Sequence, residues 1–224
     1  MNFDTSRTLA IDVGIWNFAF AIVSRTPTAD RPFTLERWEN VSLPDMGGFP
    51  GARDFVSGND IGMTLLSDIT FTALARCFPA RWVIHNVDFV WIESQPRVRG
   101  KAGKVAELSS TIYNYFQAIT ASDRLCCWKF PDVQMVGAGV KFDGGIFFDL
   151  VADEIHKRTN LGPDSQKDYQ KRKQYGVALV HALLTHTHCT LHIPEGVDIG
   201  YTRASKKDDY CDSLILAAAA MRER

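Results

Sequence analysis

Asp12, Glu93, Asp209 and Asp212 are the residues of this chain whose type and placement suit chemistry. Asp12 closes a first apolar run, Glu93 closes the run Val87 to Glu93, and Asp209 and Asp212 stand three apart on one face of a helical first turn. Singly, each has an ordinary explanation: a turn former at a strand end, or a cap and dipole partner at a helix start. That explanation fits Glu93 least. An acid directly after Val-Asp-Phe-Val-Trp-Ile continues a strand into the interior, where an uncompensated carboxylate is costly. Acids that converge disfavour one another's ionisation unless cations sit among them, and oxygen-only ligands suit hard divalent ions such as Mg²⁺. Two such ions would stabilise both the attacking water and the leaving oxygen in phosphodiester hydrolysis.

The elements that must bring these acids together are legible in outline. Thr8 to Val13 and Asn17 to Ser24 are β-rich runs about a tight Gly14-Ile15-Trp16 turn, and so predict two antiparallel strands. A third strand is expected over Thr34 to Ser42. Residues 44–59, rich in Gly and Pro, read as a long surface loop and an insertion. Asp60 is placed to cap a helix to about Arg76, with Ile61, Leu65, Ile69 and Leu74 near helical spacing. The nearly continuous apolar run into Glu93 predicts a central strand covered on both faces. A helix follows over 104–121, then a short strand from Asp132 to Ala138, a second, Gly-rich insertion at 139–164, a helix over 168–185 and a last helix from about Lys207. The expected architecture is α/β, a mixed five-stranded sheet flanked by helices in one domain spanning 1–224. The face Ile112, Tyr115, Phe116 and Ile119 of the helix over 104–121 reads either as core or as a dimer surface.

Composition narrows the class of function. The chain has 224 residues, 46% hydrophobic and 23% charged, which is ordinary for a folded protein that buries a full core without metal or disulfide staples. No apolar run is long enough to span a bilayer, and the start lacks the basic and apolar regions of a signal peptide, so neither membrane insertion nor secretion is expected. Five Cys without a C-x-x-C pair point to a reducing, intracellular compartment. His181, His186, His188 and His192 with Cys189 lack a second paired-ligand cluster, which argues against zinc. Cys126 and Cys127 read as small buried apolar residues. The net charge of -1 conceals segregation along the chain. Arg97, Arg99, Lys101 and Lys104 follow Glu93 with no acid among them, Lys167 to Lys173 carries four bases, and Arg203, Lys206 and Lys207 precede Asp208 and Asp209. A basic surround of this kind suits a polyanion held by its phosphates, without sequence readout.

Three segments together carry a family likeness: I-D-V-G-I-W-N-F-A-F-A-I (Ile11 to Ile22), V-W-I-E-S-Q-P (Val90 to Pro96) and K-K-D-D-Y-C-D-S-L-I-L-A (Lys206 to Ala217). They resemble the RuvC-like Holliday junction resolvases, most of all the poxvirus-type and fungal mitochondrial-type branches. The resemblance implies a ribonuclease H-like fold, a homodimer, and nicking of four-way DNA junctions with Mg²⁺ held by four acids, Mn²⁺ substituting. Carried over by position, Asp12 and Glu93 match the first two acids, and Asp209 with Asp212 the closing pair. The family's assisting bases match the segment Tyr169 to Val177, where Lys173 would reach the scissile phosphate with Lys171 close behind, or merely anchor phosphate. Arg97, Arg99, Lys101, Lys104, Lys171, Arg172, Lys206 and Lys207 would line the DNA.

Asp208 is about 100° round a helix from Asp209 and is assigned to capping or to phosphate-side solvent, with a place among the metal ligands as the alternative. Gln95 would contact DNA, orient Glu93, or simply face solvent. Trp16 and Trp91 read as core, with a stacking role on DNA open to Trp16. Segments 44–59 and 139–164 exceed what a minimal resolvase core needs, so another ribonuclease H-like nuclease acting on flaps, forks or hybrids, or an inactive nucleic-acid adaptor, stays as the alternative. A viral replication site in host cytoplasm is expected ahead of the mitochondrion, because no presequence is visible.

Overall fold

The structure, a computed structural model, describes residues 5–26, 33–52, 61–94, 103–122, 130–137, 139–140, 155, 169–185, 191–195, 200–203 and 207–222. Three antiparallel strands open it: β1 (Ser6–Asp12), β2 (Phe18–Arg25) and β3 (Phe33–Val41). Helices α1 (Leu43–Gly47), α2 (Met63–Cys77) and α3 (Ala80–Asn86) precede β4 (Phe89–Ser94). Then come α4 (Gly103–Ser122), β5 (Asp132–Gly137), α5 (Tyr169–Thr185), β6 (Leu191–His192) and α6 (Asp208–Arg222). The strands form one mixed sheet in the order β5-β4-β1-β2-β3-β6, with β4 parallel to both β1 and β5.

Period-two alternation divides the sheet into two apolar faces. Leu9, Ile11, Phe18, Phe20, Val90 and Ile92 pack beneath α2 and α4, against Leu66, Leu74, Ile112 and Phe116. Ala10, Ala21, Val23, Trp38 and Trp91 pack on the other face against Leu179 and Leu183 of α5 and Leu214 to Ala218 of α6. Each large side chain so buried contributes about 1.5–3 kcal/mol. The small residues Ala217 to Ala220, all buried, let α6 lie close across the strands.

Several expectations need correction. The sheet has six strands rather than five, because a two-residue β6 pairs with Phe33 and Thr34. So short a strand has no periodicity of its own and exists only through its partner. Of the expected loop at 44–59, residues 44–47 belong to a helix that starts at Leu43. Ser42 caps that helix through Oγ to the Asp45 N–H, Pro44 sits in its first turn, and Gly48 ends it at φ 100°. The short α3, started by Pro79, was not expected either. Helix α2 begins at Met63 with Gly62 before it, not from Asp60, which lies outside the described residues. Its buried face runs through Leu66, Ile69 and Ala73, leaving Leu65 49% exposed. The aromatic face of α4 is core: Ile112 and Phe116 are wholly buried beneath the sheet, which removes it as a dimer surface. Of the second proposed insertion, the structure describes Gly139, Val140 and Ile155, the last buried in the core.

Candidate active site

Asp12 and Glu93 are positioned by strand register. Ile11 pairs with Ile92 across the parallel β1/β4 ladder, so the next residue on each strand is an acid. Both lie two residues beyond a side chain of the α5/α6 face, Ala10 and Trp91 respectively, and alternation therefore sends both acids to that face. Each is buried, Asp12 at 7% exposure and Glu93 at 5%. The chain turns tightly just after Asp12. A Cβ on Gly14 would stand 2.6 Å from the carbonyl oxygen of Asn17, so a side chain there would push the turn open.

The third acid arrives from α6, which crosses the same face. Side-chain carboxylate oxygens of Asp12, Glu93 and Asp212 lie within 4.8 Å of one another. The first turn of α6 is fixed by Trp38 of β3. Its buried indole N–H donates to the Tyr210 carbonyl at 2.8 Å and lies 3.2 Å from Ser213 Oγ, while its ring stacks on Tyr201 at 5.0 Å. Gly200 permits this packing, since a Cβ there would stand 2.5 Å from the Tyr210 hydroxyl. Between Tyr210 and Asp212, burial pushes the Cys211 thiol up to about 12, with Asp212 adding to the shift. The thiol is therefore a neutral packing group.

Three carboxylates at this spacing repel, and a cation among them removes that cost. The donor set is oxygen-only and largely buried, which fits a hard divalent ion of the Mg²⁺ type. Among the described residues this is the one grouping of acids, histidines or cysteines arranged to hold a metal. His181 and His192 do not join such a group, and His186, His188 and Cys189 lie outside the described residues. Asp209, half-buried on the same turn of α6, is not a member of the triad.

The bases fall into three sets. Lys171, Arg172 and Lys173 occupy the start of α5, with Lys171 exposed and the other two half-buried. Lys173 forms an ion pair with Asp208, the first residue of α6, so Asp208 is not a plain solvent group. Lys207 carries its ammonium 4.9 Å from the Tyr201 ring centroid. Lys104 donates to the Ile61 carbonyl at 2.6 Å, tying α4 to the approach to α2. Arg97, Arg99, Lys101, Lys206, Gln95, Cys126 and Cys127 lie outside the described residues. An open cleft of about 710 Å³ is lined by Lys173, Lys207, His181 and Tyr201, with Asp208 on its wall. Trp91 is core, as expected, while Trp16 is half-buried against the α2/α4 face.

No model of a known protein family matches this sequence, and no curated protein matches it in sequence. The likeness is to solved structures, in fold. The yeast mitochondrial Holliday junction resolvase Ydc2 superposes with a TM-score of 0.62 at 19% identity, over 98% of this chain and 81% of the yeast chain. The fold is therefore ribonuclease H-like, the α/β class expected from the motifs. Fowlpox virus resolvase bound to Holliday junction DNA gives 0.42 at 16% identity, over 97% of each chain. Thermus thermophilus RuvC with its junction substrate gives 0.41 at 12% identity, over 95% of this chain and 91% of that one. These looser overlaps add nothing to the fold assignment.

Proposed function

We propose that this protein is a metal-dependent, structure-selective DNA endonuclease that resolves four-way junctions. The observation that carries the reading is the convergence of Asp12, Glu93 and Asp212 at the ends of two parallel strands and the start of a crossing helix. Stability does not call for this. Three acids from distant parts of the chain meet where apolar side chains would pack at lower cost. The fold shared with the yeast resolvase and the three sequence motifs support the same conclusion.

Asp12, Glu93 and Asp212 would hold Mg²⁺, two ions in the full reading with Asp209 as the fourth ligand, and Mn²⁺ would substitute. Bound there, Mg²⁺ supplies activation of water and neutralisation of charge on the leaving oxygen. The chain's own residues do the rest. Lys173 donates hydrogen bonds to a phosphate oxygen and offsets its charge. Lys171, Arg172 and Lys207, with Arg97, Arg99, Lys101, Lys104 and Lys206, hold the flanking phosphates and so read shape rather than sequence. A two-fold homodimer would set two equivalent sites on opposing strands of a junction, giving paired nicks. The free thiols of Cys77 and Cys211 suit work in a reducing compartment inside the cell. Among the described residues no helix is long and apolar enough to cross a membrane.

The deciding experiment is incubation of the full chain with a synthetic mobile four-way junction and Mg²⁺, beside Asp212→Asn. Paired symmetrical nicks by the wild type and none by the variant are expected. Exonucleolytic shortening, or preference for flaps or hybrids, would move the chain to a different nuclease class, and equal cleavage by both would remove the proposed site.

A further inference from the structure

We infer that the cleft bounded by α5, Tyr201 and Lys207 binds an unpaired stretch of DNA strand adjoining the scissile phosphodiester, with the Tyr201 ring as the platform for one base. The inference deepens the nuclease reading above and rests on it for the identity of the polymer.

The lining of the cleft selects the ligand. Lys173, Val177 and His181 follow one another at four-residue spacing on α5 and so share one face, about 12 Å long. Lysine and histidine stand at its ends, and the half-buried Val177 and Ala178 between them form an apolar floor. Lys207 adds a second ammonium from just before α6. Cations around an apolar floor suit a strand whose phosphates and base faces are both accessible. A duplex hides its base faces and meets only the cations. An acidic peptide meets the same cations but has no flat base to lay against the floor.

The aromatic ring in this lining is held as a platform. Tyr201 stacks on Trp38 with centroids 5.0 Å apart and planes 17° apart, meets Tyr210 edge to face, and bonds the Cys211 thiol through its hydroxyl, so the ring is fixed in place. Trp38 takes one face of the ring, which leaves the other to Lys207, whose ammonium lies 4.9 Å from the centroid. That contact is weak beside the charge-assisted hydrogen bonds of an ammonium with a phosphate. A phosphate that draws Lys207 away therefore uncovers the face on which a base can lie. Position supplies the strand. The triad does not line the cleft, but Asp208 does, and Asp212 of the triad follows one turn, about 5.4 Å, later on α6. Nucleotides next to a phosphodiester held at the triad are thus carried to the cleft.

The test measures binding by the full chain in EDTA, where cleavage does not interfere, by fluorescence anisotropy of an oligothymidylate, a blunt duplex of equal length and a polyglutamate peptide. Wild type is compared with Ala178→Glu, Tyr201→Leu and Tyr201→Phe. The wild type should bind the oligothymidylate and leave the peptide unbound. Ala178→Glu, which sets an anion on the floor, should weaken the oligothymidylate about 10-fold or more and the duplex less than about 3-fold. Tyr201→Leu should cost the oligothymidylate about 10-fold, the stacking of one base, while Tyr201→Phe stays near wild type. Irradiation of the wild type with a 5-iodouracil oligonucleotide should crosslink Tyr201, as read by mass spectrometry, and needs no variant to fold. Equal losses for duplex and oligothymidylate, equal capture of polyglutamate, or no crosslink at Tyr201 would overturn the role of the cleft and leave the nuclease reading intact. A wild type that binds and crosslinks the oligonucleotide in this way but leaves four-way junctions uncut in Mg²⁺ would overturn the nuclease reading instead.

Discussion

Asp12 and Glu93 each follow one residue beyond a paired position, Ile11 against Ile92, on adjacent parallel strands, and both point from the sheet toward α6. Their proximity is thus a property of register. A slip of one residue in either strand would turn its acid to the opposite face.

From this placement follows the first prediction. Asp12→Asn and Glu93→Gln should abolish Mg²⁺-dependent nicking and leave junction binding within a few-fold, because the basic surround is untouched. Without divalent ions each variant should melt at or above the wild-type temperature, since one repelling charge is gone. Adding Mg²⁺ should raise the wild-type Tm, by the equivalent of about 2.7 kcal/mol at a hundredfold excess over Kd, and leave the variants' Tm nearly unmoved. Differential scanning calorimetry with and without Mg²⁺ checks both parts.

The bases separate by what they touch. Lys171→Ala with Arg172→Ala should lower the slope of log affinity against log salt by about 2 for a four-way junction. Lys104→Ala should in addition reduce stability, by about 1–3 kcal/mol, because its ammonium donates to the Ile61 carbonyl. Fluorescence anisotropy at several salt concentrations and urea unfolding distinguish the two outcomes.

Trp38 acts on the site through the first turn of α6. Trp38→Phe keeps most of the buried ring and loses the indole donor to the Tyr210 carbonyl. The expected cost is about 1–3 kcal/mol, together with a weaker Mg²⁺-induced rise in Tm, as the turn bearing Asp212 loses its anchor. Full retention of the Mg²⁺ response would show that α6 is held in place without it.

Tyr115 gives a pH signature. Burial pushes its phenol from 10.0 up to about 12, and its hydroxyl donates to the Phe78 carbonyl at 2.9 Å. The folded chain keeps this proton in a range where the unfolded chain has released it. The contribution is therefore complete below pH 10 and lost as pH rises toward 12. Urea midpoints of the wild type should fall more steeply over that interval than those of Tyr115→Phe. The variant should also be about 1 kcal/mol less stable at neutral pH.

The order of strands and long helices, and the three acids of the triad, follow from local pattern. Alternation and helical spacing are short-range, so Asp12, Glu93 and Asp212 could be singled out by where each stood on its own element. The four-residue spacing of Asp208 and Asp212 is equally local. Other features lie beyond any local rule. Which side of α2 meets the sheet, Leu66 or Leu65, is decided by how the helix docks, and the pairing of β6 by an edge supplied from residues far earlier in the chain. Likewise Lys173 meets Asp208 across two helices whose mutual placement is written in neither. Sequence determines what each element can offer, because propensity and periodicity act within a few residues. Tertiary structure alone decided which offers meet, because packing and register join residues that are distant along the chain.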